Sequence, residues 1–329
     1  MIRRMIRRTL TLASCLVGLM SLPATAQTLT PVKVLLDWAW LPYHASFLVA
    51  QDKGYYKEAG LDVTLEQGRG SATTALMLSQ SGFDIAHLNT TNAAQMISKG
   101  GAIKMVGIYQ HKTAAAFIGI KGKVKLDGPQ SLKGIKIGST PGGSDGLSLK
   151  VFTAANKMKL TDLNIVALDA NAKTAALFGG TIDAVSGDAP AFDAYVRATN
   201  QQPETMLLSN YGVPLIGFGF AANGNYLAKN PATVAKFLSA TKRGFAEAAR
   251  DFKAACELMQ AKVHLAGTVE RCVDYNKGVL ALSTPPTDPD WGRQSDEEWT
   301  RLLATLKDAG ELFGDKPLAT YYTNDSVPK

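Results

Sequence analysis

From position 31 onward the chain alternates short apolar runs with longer amphipathic ones. Apolar, β-branched stretches at 32–36, 61–66, 83–88, 102–109 and 114–120 read as strands, as do 135–138, 164–168, 182–185, 206–208 and 214–221. Between them, 43–59, 72–80, 93–98, 145–158, 171–178 and the stretch running to 197 carry apolar residues at helical spacing. Ser71 is placed to cap the second of these helices. The alternation predicts an α/β fold. Polar residues at 110–113 interrupt the pattern, so the chain is expected to cross to a second domain near 111–114 and to return near 212–217. Beyond 222 the pattern is helical. Val234, Phe237, Leu238, Thr241, Phe245, Ala248 and Phe252 form one packing stripe, 295–308 is the last helix, and the tail after Gly314 is expected to lie over the surface.

One grammatical unit recurs: a strand ends, small or capping residues follow, and a helix begins. In open α/β sheets, ligands settle beyond the carboxyl ends of strands, where helix starts present free N–H groups. The first instance, Leu36-Asp37-Trp38-Ala39-Trp40-Leu41-Pro42-Tyr43-His44, crowds two indoles, a phenol and an imidazole into such a position. Its bland alternative is packing, because tryptophans are usually buried for that reason. Later instances are Asn89-Thr90 and Asp188, which could equally serve as helix caps, and Gly142-Gly143-Ser144. The glycines at 142–143 would let a backbone approach a ligand closely, but the Lys-Ser/Thr ending of a phosphate loop is missing there.

With 329 residues the chain is long enough for two domains. Its net charge of +7 suggests an acidic partner until the leader is set aside. Arg3, Arg4, Arg7 and Arg8 precede an apolar run at 9–22 and an Ala24-Thr25-Ala26 cleavage signature, which predicts a signal peptide over 1–26. The remainder carries 31 basic and 28 acidic residues, with no basic block, so nucleic-acid binding is not expected. Leu12-Ala13-Ser14-Cys15 offers a competing lipoprotein site, but cleavage there would strand the apolar 16–22 stretch. No other segment approaches the ~18 consecutive apolar residues of a membrane span. The mature protein is therefore expected to be soluble and periplasmic. In that oxidising compartment Cys256 and Cys272 form an even pair, expected as a disulfide, with two separately buried thiols as the alternative.

Several motifs resemble the NMT1/THI5-like group of substrate-binding proteins that serve ABC importers. These are Leu36-Asp37-Trp38, Pro42-Tyr43-His44-Ala45, the stretch KGYYKEAGLDV at 53–63, and Phe83-Asp84-Ile85-Ala86. The resemblance implies a two-lobed, type II periplasmic-binding-protein fold, each lobe a sheet flanked by helices, with the ligand in the interlobe cleft. Lobe I would comprise 27–112 and 216–329, and lobe II 113–215. Carried over, Trp38, His44, Asn89, Thr90, Gly142, Gly143, Ser144 and Asp188 would line the cleft, and the local pattern adds Trp40. The implied partners are a small-molecule ligand and an inner-membrane permease, and the implied state is a monomer without cofactor.

Pyrimidine-precursor binders of the group tend to read Asp-Trp-x-Pro-Asn where this chain has Asp37-Trp38-Ala39-Trp40-Leu41-Pro42-Tyr43. Two indoles and a tyrosine suit a planar aromatic or heterocyclic ligand, pyrimidine-like or thiamine-precursor-like. A sulfonate, taurine or nitrate is the alternative, for which Arg69 is the arginine nearest the motif. The rival from another class is a pyrimidine-synthase-like enzyme of the same fold. Its cysteine-rich segment has no counterpart here, and His44, His87, His111 and His264 show no metal spacing and no nucleophile–base pair.

Overall fold

The structure, a computed structural model, describes residues 28–80, 82–140 and 144–328. The expected signal peptide, Cys15, Gly142 and Gly143 lie outside the described residues. Among the described residues ten strands follow in chain order: β1 (Thr30–Leu35), β2 (Leu61–Glu66), β3 (Ile85–Asn89), β4 (Ile103–Ile108), β5 (Ala115–Ile120), β6 (Lys136–Ser139), β7 (Asn164–Ala167), β8 (Ala184–Asp188), β9 (Pro203–Leu207) and β10 (Phe218–Asn223). They form two five-stranded sheets, ordered β2-β1-β3-β10-β4 and β7-β6-β8-β5-β9.

The sheets share a plan. In the first, β1 runs parallel to β2 and β3, and β10 is inserted antiparallel between β3 and β4. In the second, β6 runs parallel to β7 and β8, and β5 is inserted antiparallel between β8 and β9. Each antiparallel strand is the first laid down after the chain passes from one sheet to the other. Central strand β3 is buried at every position, whereas edge strand β2 alternates buried and exposed residues at its start. The carboxyl ends of β1, β3, β6 and β8 deliver Asp37, Asn89, Thr140 and Asp188 to the space where ligands are expected.

Several sequence expectations shift by a few residues for identifiable reasons. The helix expected over 43–59 is a 3-10 turn at Pro42–His44, a helix at Ala45–Asp52 and another at Tyr55–Glu58, because Gly54 turns the chain at φ 76°. Gly70 rather than Ser71 stands at the N-cap of Ser71–Ser79, and the Ser71 hydroxyl instead accepts the Asn89 N–H at 3.1 Å. The stripe through Phe252 is cut at Arg250, where Asp251 caps a new helix, Phe252–Val263, by accepting the Ala254 N–H at 2.9 Å. The tail is not draped over the surface. Tyr321 is fully buried, and the Thr323 N–H donates to the Met105 carbonyl at 3.0 Å.

The long helix Pro231–Arg250 packs against Ala45–Asp52 through Gly244, where a β-carbon would fall 2.5 Å from that of Ala50. Only glycine permits that approach. Cys256 and Cys272 form a disulfide between Phe252–Val263 and Val269–Ala281. Beside it, the Asn276 amide donates to the Cys272 carbonyl at 3.0 Å and to the Pro42 carbonyl at 3.1 Å, tying the bonded helices to the turn after β1. Among the described residues no helix is long and apolar enough to cross a membrane.

The disulfide closes a loop of 16 residues of sequence separation. Replacing both cysteines with alanine should lower stability by about 3 kcal/mol, the loop-entropy value for that length. Urea unfolding of the two proteins measures it, and coincident midpoints would contradict the assignment.

Candidate functional site

Directly after β1 the chain buries a carboxylate. Asp37 accepts three hydrogen bonds: from the Tyr43 hydroxyl at 2.6 Å, from His44 Nε2 at 2.9 Å and from His87 Nδ1 at 2.9 Å. A backbone N–H on its far side fixes the His44 tautomer, and the carboxylate itself fixes the proton of His87 on Nδ1. His44 Nδ1 accepts the Leu41 N–H at 3.1 Å, and His87 Nε2 faces the Tyr109 hydroxyl at 2.8 Å. Burial alone would push the Asp37 carboxyl up, but the hydrogen bonds from His44 and His87 outweigh it and hold the group well below the usual carboxylate range. Burial lowers the His44 pKa and raises that of Tyr43, so both face Asp37 as neutral donors. Asp37, His44 and His87 bring ligand atoms within 4.8 Å of one another. A metal there would have to displace the ring protons that now satisfy the carboxylate.

The loop carrying this group is pinned from below. Gly68 N–H donates to the Trp38 carbonyl at 3.1 Å, Gly70 N–H to the Asp37 carbonyl at 2.8 Å, and Trp40 N–H to Gln67 Oε1 at 3.0 Å. A β-carbon on Gly68 would sit 2.0 Å from the Leu36 carbonyl oxygen, so the turn closes only with glycine. Trp38 and Trp40 are thereby held half-buried on the outer face of the loop.

Above the loop lies a cavity of about 390 Å³ between the two sheets. Trp38, Trp40, Tyr43, Phe218 and Tyr275 line it together with Phe192 and Tyr195. Its cations are committed. Lys173 is buried, donating to Asp145 Oδ2 at 2.9 Å and to the Ser186 carbonyl at 3.0 Å. Arg271 lies 4.7 Å over the Tyr195 ring and donates to the Ala266 carbonyl. Asp188 ends β8, where its Oδ1 accepts the Ala191 N–H at 3.1 Å. Burial, and after it the charge of Asp37, raise the Asp188 carboxyl to about 7 despite that bond. The wall is thus largely aromatic, with the Asp188 carboxyl and the Arg271 guanidinium on it and Lys173 paired to Asp145.

Trp38, Trp40, Ser144 and Asp188 all line this cavity. His44 does not. It is fully buried behind the loop and orients Asp37. Asn89 caps the helix Thr90–Ser98 by accepting the Thr91 N–H at 3.0 Å, and Thr90 is fully buried beside it; neither reaches the wall. Arg69 is exposed and away from the cavity, and the arginine on the wall is Arg271. Sequence reasoning passed over Lys173, Asp145, Phe192, Tyr195, Arg271 and Tyr275. For Asp145 and Phe192 a signal existed, since each stands in the first turn of a helix that follows a strand end. For Arg271 and Tyr275, brought in from a distant helix, there was none.

The chain belongs to the NMT1/THI5 like family, which matches residues 41–255. It is 27% identical over 205 residues to a putative thiamine biosynthesis protein of Haemophilus influenzae, covering 61% of this chain and 63% of that protein. It is 25% identical over 231 residues to the 4-amino-5-hydroxymethyl-2-methylpyrimidine phosphate synthase THI13 of Saccharomyces cerevisiae, covering 64% of this chain and 65% of that one. The match thus spans less than two thirds of either relative. By contrast, a 24% identical match to the riboflavin-binding protein RibY of Chloroflexus aurantiacus covers 97% of this chain and 95% of that protein. Among solved structures, the alkanesulfonate-binding protein SsuA of Xanthomonas axonopodis pv. citri superposes with a TM-score of 0.68 at 16% identity, over 89% of this chain and 98% of that one. The nitrate-binding protein NrtA of Synechocystis PCC 6803 gives 0.68 at 15%, over 91% and 87%. These likenesses establish the periplasmic-binding-protein fold.

Two outcomes follow from the carboxylates. Because the Asp37 pKa is depressed in the folded chain, its contribution to stability is present above the unfolded value of about 4 and is lost as pH falls through the folded one. Asp37→Asn should cost about 3 kcal/mol at pH 7, since one amide cannot accept from both rings and the phenol. The gap to wild type should narrow below about pH 4; a gap that does not change with pH in urea unfolding would contradict it. Asp188 has the opposite sign: its pKa is raised, so its favourable term is full below about 4 and is lost as pH rises through about 7. Asp188→Asn keeps the helix cap, so its melting temperature relative to wild type should rise between pH 5 and pH 8. A constant offset in a thermal-shift series would count against the burial of that charge.

Proposed function

We propose that this chain is a non-enzymatic solute-binding protein that captures a planar heterocyclic molecule and presents it to a membrane permease. The lobes that close on the ligand are 27–112 with 216–329, and 113–215, moving as a hinge about the two connections. The observation that carries the reading is the aromatic cavity with its cations already engaged. Trp38 and Trp40 on one lobe and Phe192 and Tyr195 on the other offer faces to a flat ring, and the Asp188 carboxyl accepts from ring N–H groups at its edge. The ligand favours the closed form, and that form is what the permease recognises. The leader at 1–26 supports export to the periplasm.

Size weighs against nitrate and charge against a sulfonate, the ligands for which two structural neighbours are named. At roughly 30 Å³ per water molecule, a nitrate would leave most of the 390 Å³ to solvent. A sulfonate would meet a lysine already bonded to Asp145. The near full-length similarity to a riboflavin-binding protein supports a fused-ring ligand. A single pyrimidine ring is the second reading, favoured by the thiamine-biosynthesis relatives. An enzyme of the synthase kind is disfavoured because His44 and His87 are spent on Asp37.

A thermal-shift panel of riboflavin, a 4-aminopyrimidine, an alkanesulfonate and nitrate, run on protein refolded free of ligand, tests the class. Ligand at 100 times its Kd adds about 2.7 kcal/mol of stability. A shift with the heterocycles alone is expected, and a shift with the sulfonate or nitrate alone would overturn the reading. Trp38→Ala should weaken binding of the stabilising heterocycle by about 2–4 kcal/mol while leaving the melting temperature of the free protein near that of wild type.

A further inference from the structure

Helix Val269–Ala281 presents three faces to three different surroundings. Residues four apart share a face of a helix. Cys272 and Asn276 form the anchored face: both are buried, Cys272 is bonded to Cys256, and the Asn276 amide donates to the Pro42 carbonyl. Arg271 and Tyr275 form the next face and line the aromatic cavity. Asp274 and Gly278 form the third, which meets helix Ala189–Arg197, the one that follows β8 in the second sheet.

The third face is a close fit. A β-carbon on Gly278 would fall 2.9 Å from Cβ and 3.3 Å from Cα of Pro190, nearer than carbon atoms pack without displacement. Further along, Asp274 pairs with Arg197, and Arg271 lies over the Tyr195 ring. Glycine is the poorest helix former after proline, so what favours it in the middle of this helix is the neighbour it admits. None of Pro190, Arg197, Asp274 and Gly278 lines the cavity. The two helices they join do line it, through Phe192 and Tyr195 on one and Arg271 and Tyr275 on the other. Contacts from these side chains to a ligand and contacts between the helices therefore form together.

We infer that Gly278 is a positioning residue for ligand capture: the face it shares with Asp274 is the seat against which Ala189–Arg197 closes, and the missing side chain sets how far the cleft shuts. The inference rests on the lobe closure and ring capture proposed above and extends them to a residue outside the cavity. The disulfide and Asn276 fix the seat from behind. Affinity is then divided, with the cavity wall choosing the ligand and the helix contact setting how much of the closed form is there to hold it.

The test compares wild type, Gly278→Ala and Gly278→Leu on the full mature chain. Calorimetric titration measures the affinity for riboflavin and for 4-aminopyrimidine, and small-angle scattering records the radius of gyration with and without the same probe. Gly278→Ala should weaken each probe that binds wild type about tenfold, the size of an overpacked methyl contact, and Gly278→Leu should weaken it further. The factor should be the same for both probes, because it reflects the population of the closed form rather than contact with the ring. Contraction on adding the probe should diminish in the same order. Ligand-free Gly278→Ala should melt no lower than wild type, since the open form has room for the methyl and alanine favours the helix. Unchanged affinity and contraction in Gly278→Leu would overturn the seat and leave the ring reading standing. So would a lower melting temperature of ligand-free Gly278→Ala, which would make the contact a fixed part of the fold, or a factor that differs between the probes, which would make residue 278 part of the cavity. Binding of neither probe by wild type would overturn the ring reading, and the inference with it.

Discussion

A carboxylate taken out of water must be surrounded by donors, and the architecture around Asp37 meets that demand. Tyr43 and His44 come from the turn immediately after it and His87 from the adjacent parallel strand β3. Tyr109, which follows β4, holds His87 from behind. One charge thus ties the end of β1 to the two strands that flank β10 in the same sheet and fixes the turn from which Trp38 and Trp40 project. Removing any partner would leave a buried group unpaired, which costs more than the bond itself contributes.

The same logic recurs in the second sheet with different chemistry. Lys173 and Asp145 form a buried ion pair, and the Lys173 ammonium is completed by the Ser186 carbonyl while Asp145 also accepts the Thr140 N–H at 2.8 Å. Gly187 leaves room for this arrangement, since a β-carbon there would fall 2.7 Å from the Phe192 ring. One polar cluster organises each side of the cavity. Across it, helices Ala189–Arg197 and Val269–Ala281 meet, with Arg197 and Asp274 paired at 3.1 Å. That pair is half-exposed and contributes little to stability.

A cavity built this way discriminates by shape and by hydrogen-bond pattern more than by charge. Near it Lys173 and Asp145 are paired with each other, Arg271 lies against the Tyr195 ring, and Asp188 carries a raised pKa. Aromatic faces and spare acceptors remain for the ligand. The fold is shared with proteins named for sulfonates and nitrate, and in a shared fold the choice of ligand resides in the side chains of the site rather than in the topology.

Much of this was legible in the chain alone. Strand and helix order, the return of the chain to the first sheet, the pairing of Cys256 with Cys272, and the placement of Trp38, Trp40 and Asp188 at strand ends follow from periodicity, capping residues and short motifs, all of which act over neighbouring residues. The role of His44 did not follow, because a histidine beside tryptophans at a strand end looks the same whether it faces a ligand or a buried carboxylate. Nor did the part played by Arg271 and Tyr275, which reach the cavity from a helix more than 200 residues beyond β1. The breaks at Gly54 and Asp251 were written locally, yet they compete with a continuous apolar stripe, and only packing decides which signal prevails. The sequence by itself determined which elements form and which of their ends carry chemistry. Tertiary structure decided which of those ends face the cavity and which are consumed in holding it, since burial and hydrogen-bond satisfaction depend on partners distant in sequence.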